Sequence, residues 1–265
     1  LTVVVHPSNP VRGATIAEGD PGPRPLALPA LQALQTLGPN LGGAEGTRRR
    51  MRSRRPLRRA STGFHTMAQT PSTMMLPLGS PIPAFSLKDH SGAVVSNTTL
   101  ARSPVALVMF ICNHCPFVKH IRAELAKLGR EYGARGVAIA AINSNDAEKY
   151  PDDAPAKMLE EARAAGYSFP YVFDASQEVA KAFKAACTPD FFVFSGAKGL
   201  VYRGQLDDSR PVKQGTPLPV TGRDLRAALD AALAGKSAPG EQRPSIGCNI
   251  KWKPGNEPAY LSALT

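Results

Sequence analysis

Two cysteines three positions apart, Cys112 and Cys115, enclose a histidine, His114, in the sequence CNHC. Thiols at this spacing bind metals, form structural disulfides or exchange disulfides with other molecules. Four cysteines in 265 residues are too few for a disulfide-rich scaffold. A structural zinc site would need Cys187 and Cys248 as its other ligands, and the sequence has no second paired-ligand motif to favour it. Redox chemistry is therefore the preferred interpretation of the pair.

The pair lies between a predicted strand and a predicted helix. Residues 103–111 are a nearly unbroken apolar run of strand length, and apolar residues recur at helical spacing from Val118 onward. Cys112 is therefore predicted at a helix N-terminus, where free N–H groups and the helix dipole favour a thiolate. Cys115 would then attack a mixed disulfide formed on Cys112. His114 is predicted to stabilise the Cys112 thiolate, and the alternative is a solvated histidine.

The rest of the chain alternates predicted strands and helices. Short period-two runs around a polar turn predict a β-hairpin over residues 81–96. Apolar periodicity and turn residues predict strands within 136–145, 167–174 and 188–204, and helices within 118–136, 154–166, 176–186 and 221–235. The last helix is predicted to start with Thr221 as its N-cap. Parallel strands joined by helices predict an α/β fold with a central mixed sheet, and no element is predicted within 238–258.

Composition divides the chain into three parts. Residues 1–66 are rich in Pro, Gly and Arg, carry +7 of the net charge of +11, and are predicted to be disordered. Three explanations compete for this segment: an extended reading frame whose native start is Met67, an organellar transit peptide, or a basic arm that binds nucleic acid or membranes. Residues 67–240 are predicted to form the folded domain, and residues 241–265 a tail packed on it or tethered to it.

The charge and hydropathy of the folded part restrict its partners and its location. Because the domain is nearly charge-balanced, no nucleic-acid partner is expected for it. No apolar window approaches the length of a membrane span. A cytoplasmic location is expected, with a mitochondrion or plastid as the alternative if residues 1–66 are a transit peptide.

A strand, a C-x-x-C-P sequence at a helix start and a later Thr188-Pro189 before a β-hairpin resemble the thioredoxin fold. The resemblance is to the redoxin branch grouped with alkyl hydroperoxide reductases and thiol-specific antioxidant proteins, over about residues 76–235. The CNHC sequence is similar to the C-x-H-C of protein disulfide isomerases and DsbA-type oxidants. The tail sequence PSIGCNIKWKPGNEP is similar to that of small bacterial members.

This resemblance implies a fold and a set of site residues. The fold would be a thioredoxin fold with an N-terminal β-hairpin extension, an inserted helix within residues 143–166 and a C-terminal tail. Thr188 and Pro189 would form a cis-proline loop whose backbone pairs with an extended substrate segment. Two departures from thioredoxin are Ile111, where a tryptophan is usual, and Ala106, at the position of a buried aspartate.

The sequence predicts a thiol–disulfide oxidoreductase in which Cys112 attacks, Cys115 resolves and His114 tunes the thiolate. The expected partners are protein or small-molecule disulfides and an external thiol reductant, with no organic cofactor or metal, and the oligomeric state is not indicated. One alternative is a peroxiredoxin-like thiol peroxidase or antioxidant protein. Its P-x-x-x-[ST]-x-x-C pattern fits neither cysteine. The other alternative is a non-catalytic redox sensor or binding module.

Two further cysteines are candidate redox sulfurs. Cys187 precedes the Thr188-Pro189 pair and is either a third redox sulfur or a small buried residue. Cys248 lies in the tail, which would bring it to Cys112 or Cys187 if it folded over the site. Other polar residues are predicted to be solvated and to have no catalytic role: His90, His120, Arg203, Asp207, Asp208 and Arg210.

Overall fold

The computed structural model describes residues 69–212 and 215–264. Residues 1–66 lie outside the described residues, so the three competing explanations for this segment stay predictions. The described strands are β1 (Gln69–Pro71), β2 (Ser86–Lys88), β3 (Val94–Ser96), β4 (Val105–Phe110), β5 (Val137–Asn143), β6 (Tyr171–Phe173), β7 (Cys187–Thr188), β8 (Asp190–Ser195), β9 (Gly199–Gly204) and β10 (Ile246–Asn249). The described α-helices are α1 (Asn97–Leu100), α2 (Pro116–Ala134), α3 (Pro155–Ala165), α4 (Glu178–Phe183) and α5 (Arg223–Leu233).

Five strands form the central sheet in the order β6-β5-β4-β8-β9. Strand β4 lies in the middle, parallel to β5 and antiparallel to β8, so the sheet is mixed as predicted. Every residue of β4 is buried, which explains its unbroken apolar sequence. Leu107 and Met109 belong to one hydrophobic core, and Val108 and Phe110 to the core on the other face.

The arrangement of the sheet and helices is that of the thioredoxin fold, which confirms the predicted fold class. The predicted hairpin is confirmed, because β2 and β3 pair in antiparallel register. The predicted inserted helix corresponds to α3, which follows a short 3₁₀ turn at Pro151–Asp153. None of the described helices has the length and apolar character needed to cross a membrane.

Helix α5 starts differently from the prediction. Its N-cap is Gly222, in a left-handed conformation, rather than Thr221. The carboxylate of Asp207 accepts hydrogen bonds from the backbone N–H groups of Thr221 and Gly222, at 2.6 and 2.7 Å. Asp207 is buried, so its prediction as a solvated residue is wrong. It lies where the side chain can bind the free N–H groups at the entrance to the helix.

The tail contains a strand that the sequence did not predict. Strand β10 lies between β1 and β7 in a separate three-stranded sheet. It pairs with β7 in antiparallel register, with Cys248 opposite Thr188 and Asn249 opposite Cys187. A four-residue strand whose partners are distant in sequence leaves little local pattern, which explains why it was missed.

Candidate active site

The two thiols of the CNHC motif lie below the surface, between β4 and α2. Cys112 is 2% exposed and Cys115 is fully buried. Helix α2 begins at Pro116, whose fixed φ suits the first helical position, so Cys115 is the N-cap residue. The prediction that Cys112 lies at the helix N-terminus is therefore wrong, because Pro116 sets the start of the helix later in the motif.

The predicted cis-proline loop lies against both thiols. The Thr188-Pro189 peptide bond is cis. The Oγ1 of Thr188 lies 3.1 Å from Cys112 Sγ, and Cys115 Sγ lies 3.2 Å from the carbonyl oxygen of Thr188. Thr188 also pairs with Cys248 of β10. The prediction that this loop leaves its backbone free for a substrate is wrong for this structure, since the protein's own tail occupies it.

The tail brings Cys248 to Cys115, with 2.9 Å between the two Sγ atoms. Its sulfur contact is therefore Cys115 rather than the predicted Cys112 or Cys187, although Cys187 is near enough to contribute to its raised pKa. Cys187 is fully buried, and its thiol points to the carbonyl of Pro189 at 3.7 Å. Burial raises the pKa of the Cys187 thiol, which favours its interpretation as a small buried residue.

His114 binds an aspartate that the sequence analysis missed. Its Nδ1 lies 2.6 Å from Oδ2 of Asp153, a fully buried carboxylate from the 3₁₀ turn before α3. Asp153 also accepts from the backbone N–H of Asn113 and the side-chain amide of Asn145, both at 2.8 Å. The His114 ring stacks on Tyr150 at 5.4 Å between centroids. The alternative of a solvated histidine is therefore wrong.

The other two predicted surface histidines differ from each other. His90 is exposed, as predicted. His120 on α2 is half-buried, and its Nε2 is covered and has no hydrogen-bond partner among the described residues. The prediction of a surface position is therefore wrong for His120.

One group of potential metal ligands occurs within the described ranges. Ligand atoms of Cys112, His114 and Asp153 lie within 4.8 Å of one another. Both oxygens of Asp153 already accept hydrogen bonds from protein donors. The carboxylate of Asp153 is therefore satisfied by the protein itself, whereas the buried Nε2 of His114 has no hydrogen-bond partner among the described residues.

Comparison with known proteins identifies the family. The model of the AhpC/TSA family matches residues 78–203. A crystal structure of an uncharacterized conserved protein from Geobacillus kaustophilus is 53% identical, with a TM-score of 0.67, covering 71% of this chain and 98% of that chain. The chain belongs to the AhpC/TSA family. A hypothetical protein from Sinorhizobium meliloti 1021 is 49% identical, with a TM-score of 0.66, covering 70% of this chain and 100% of that chain.

These findings confirm the thioredoxin-like redoxin family that the sequence predicted. No curated protein matches this chain. In this AhpC/TSA-family chain, the matched region contains CNHC and the Thr188-Pro189 loop and ends within β9. Strand β10 and Cys248 lie beyond it.

The surroundings of these two thiols lower the pKa of Cys115 and raise the pKa of Cys112. The thiols of Cys112 and Cys248 donate to Cys115, and together with the backbone N–H groups of Val118 and Cys248 they lower its pKa despite burial. The backbone N–H of Val118 lowers the pKa of Cys115, although the Cys115 side chain makes no capping hydrogen bond to the helix. Burial raises the pKa of Cys112, and the neighbouring Cys115 and Asp153 raise it further. The prediction of a Cys112 thiolate stabilised by His114 is therefore wrong for the reduced structure.

A second buried acid, Asp190, lies next to the site and was also missed. It follows cis-Pro189 directly at the start of β8. Burial raises its pKa to about 8, although the backbone N–H of Phe191 donates to the carboxyl group at 3.1 Å. The sequence signal for Asp190 was its position immediately before the apolar run FFVF. A carboxyl group at the start of a buried strand is removed from water, which raises its pKa.

Proposed function

We propose that this protein is a thiol–disulfide oxidoreductase that uses Cys112 and Cys115 as its reactive dithiol. The observation that carries the proposal is the convergence of both thiols on Thr188 of the cis-proline loop. Hydrogen bonds from Cys112 and Cys248 lower the pKa of Cys115. A lowered thiol pKa provides the thiolate on which disulfide exchange depends. The reduced pair holds one proton and one negative charge between two sulfurs.

The reaction begins when Cys112 transfers its proton to Cys115 and attacks one sulfur of a partner disulfide. The partner's S–S bond breaks, and its other sulfur leaves and takes a proton from solvent. Cys115 then loses its proton and attacks Cys112 in the mixed disulfide, which leaves a Cys112–Cys115 disulfide and releases the second partner sulfur, which takes that proton. The partner gains two electrons, the dithiol loses two, and an external thiol reductant restores the reduced pair.

Access to Cys112 is a further part of this proposal. With only 2% of Cys112 exposed, a protein disulfide reaches it only after a covering segment moves. Strand β10 is such a segment, since it pairs with Thr188 in the loop that contacts both thiols.

The test is the turnover of insulin disulfides with excess dithiothreitol by the full chain and three serine variants. Cys112→Ser and Cys115→Ser are expected to reduce turnover to the uncatalysed rate. Cys187→Ser is the matched control, because it removes a buried thiol that points away to the carbonyl of Pro189. Its turnover is expected to match the parent protein.

Other outcomes would select the alternatives. Equal turnover in all four proteins would contradict the proposal. Faster consumption of hydrogen peroxide than of disulfide would indicate a thiol peroxidase. Oxidation of one disulfide per chain without turnover would indicate a redox sensor.

A further inference from the structure

The tail strand holds Cys248 in position for a covalent reaction with Cys115. Cys248 pairs with Gln69 of β1 on one side and with Thr188 of β7 on the other, so its backbone is fixed from both sides. Its Sγ lies 2.9 Å from that of Cys115. A disulfide requires about 2.05 Å, so the two sulfurs need to approach by only about 0.9 Å.

We propose that Cys248 is a third redox cysteine, which exchanges with the Cys112–Cys115 disulfide to form a Cys115–Cys248 disulfide. The inference rests on the proposed function for the formation of the first disulfide. In the exchange, Cys248 loses its proton and attacks Cys115 Sγ. The Cys112–Cys115 bond breaks as the Cys115–Cys248 bond forms, and Cys112 leaves as a thiolate that takes the proton. No electrons enter or leave the protein in this step.

The charge on Cys115 makes this exchange depend on oxidation of the Cys112–Cys115 pair. In the reduced protein, the pKa of Cys248 is raised first by its hydrogen bond to Cys115 and then by burial. Oxidation of Cys115 removes the negative charge that holds the Cys248 proton. The nearby Lys251 lowers the pKa of Cys248 and opposes the remaining effect of burial. Cys248 therefore becomes a better nucleophile only when the dithiol is oxidised.

The exchange changes which sulfur is available to a partner. It returns Cys112 to the thiol form while the disulfide moves to the tail strand. An external reductant would then act on the Cys115–Cys248 bond, and a substrate disulfide on Cys112. Cys187 takes no part, because its thiol contacts the carbonyl of Pro189 instead.

The first test maps the disulfide in the full chain after treatment with oxidised glutathione, acid quenching and alkylation. Cys112 and Cys115 share the tryptic peptide 103–119, and Cys248 lies in the tryptic peptide 237–251. Mass spectrometry is expected to find these two peptides joined, with the alkyl group on Cys112. A disulfide confined to peptide 103–119, with Cys248 always alkylated, would overturn the inference.

The second test counts thiols in variants and separates the two proposals. After oxidation, Cys112→Ser is expected to fall from three free thiols to one, which is Cys187. The matched double variant Cys112→Ser/Cys248→Ser is expected to keep both of its thiols. If the parent forms the Cys112–Cys115 disulfide while Cys112→Ser keeps three thiols, the inference fails and the proposed function stands. If the parent keeps all four thiols, both fail.

Discussion

Two aspartates next to the Cys112–Cys115 pair are equally buried, yet their pKa values are shifted in opposite directions. Asp153, from the insertion, and Asp190, after cis-Pro189, are 0% and 1% exposed. Hydrogen bonds from His114 and Asn145 lower the pKa of Asp153 although burial opposes them. At Asp190 burial prevails and raises the pKa to about 8. The comparison shows that the donors around a buried acid, rather than its burial, decide its charge.

The two acids also act on different cysteines. The negative charge of Asp153 helps to raise the pKa of Cys112, so the insertion disfavours a second thiolate beside Cys115. Asp190 contributes to the raised pKa of Cys187. The insertion therefore places a carboxylate beside Cys112, whereas the tail places a sulfur, Cys248, beside Cys115.

The largest expected effect is on the pH dependence of stability in Asp190→Asn. A carboxyl group with a raised folded pKa contributes most to stability below about pH 4, and the contribution is lost as the pH rises to about 8. As the pH rises, the parent should therefore lose free energy of unfolding relative to Asp190→Asn, by about 1.4 kcal/mol per pH unit or about 4 kcal/mol between pH 4 and 7. Urea unfolding across this range measures the difference. A constant difference would show that Asp190 is charged in the folded protein.

Asp153→Ala should destabilise the reduced protein by about 3 kcal/mol, because it leaves His114 and two amide donors without their buried acceptor. Because the pKa of Asp153 is lowered, its contribution to stability depends on pH in the opposite direction to that of Asp190. The stabilisation is present above about pH 4 and is lost as the pH falls through the folded pKa. In urea unfolding, Asp153→Asn should accordingly have a lower free energy of unfolding than the parent. This deficit should be constant around neutral pH and shrink in acid. A deficit that grows in acid would contradict this assignment.

Gly247→Ala should loosen the tail strand and lower stability by about 2 kcal/mol. A Cβ at this position would lie 2.0 Å from the carbonyl oxygen of Thr188, a backbone atom that is held in β7. The alkylation rates of Cys112 and Cys248 should rise as β10 separates from the site. Gly133→Ala is the control, since a Cβ there meets nothing within 4 Å and alanine favours the helix. Unchanged alkylation in Gly247→Ala would show that β10 does not cover the thiols.

The smallest expected effect belongs to Tyr171→Phe, at about 1 kcal/mol of lost stability. The Tyr171 hydroxyl donates to Oδ1 of Asn113 at 3.0 Å and so joins β6 to the CNHC turn. Tyr167→Phe is the matched control, because that hydroxyl makes no hydrogen bond among the described residues. Thermal unfolding of the two variants should differ, and equal midpoints would assign no stabilising role to the Tyr171 contact.

Local pattern was sufficient to predict the elements that carry the dithiol. Strand β4 is an unbroken apolar run, and the buried face of α2 follows from residues at helical spacing. The CNHC motif and Thr188-Pro189 identified the two halves of the site. The contact between Cys115 and Thr188 confirms that these halves meet.

The parts of the site that were missed depend on contacts between distant residues. Asp153 lies 39 residues from His114, and Cys248 lies 133 residues from Cys115. Neither pairing has a local periodicity from which to predict it. The assignment of the thiolate failed for a different reason. It treated Cys112 as the helix terminus, and the sulfur that receives the donors is the N-cap Cys115.

The most direct test of the charged dithiol is a pH titration of thiolate ultraviolet absorbance. The reduced Cys187→Ser protein serves as the parent, and Cys112→Ser or Cys115→Ser is added to it. The parent and the Cys112→Ser form should keep a thiolate far below about pH 8.5, the ordinary pKa of cysteine, and the Cys115→Ser form should lose it. A low-pH thiolate that survives Cys115→Ser and disappears in Cys112→Ser would contradict the account and return the charge to Cys112.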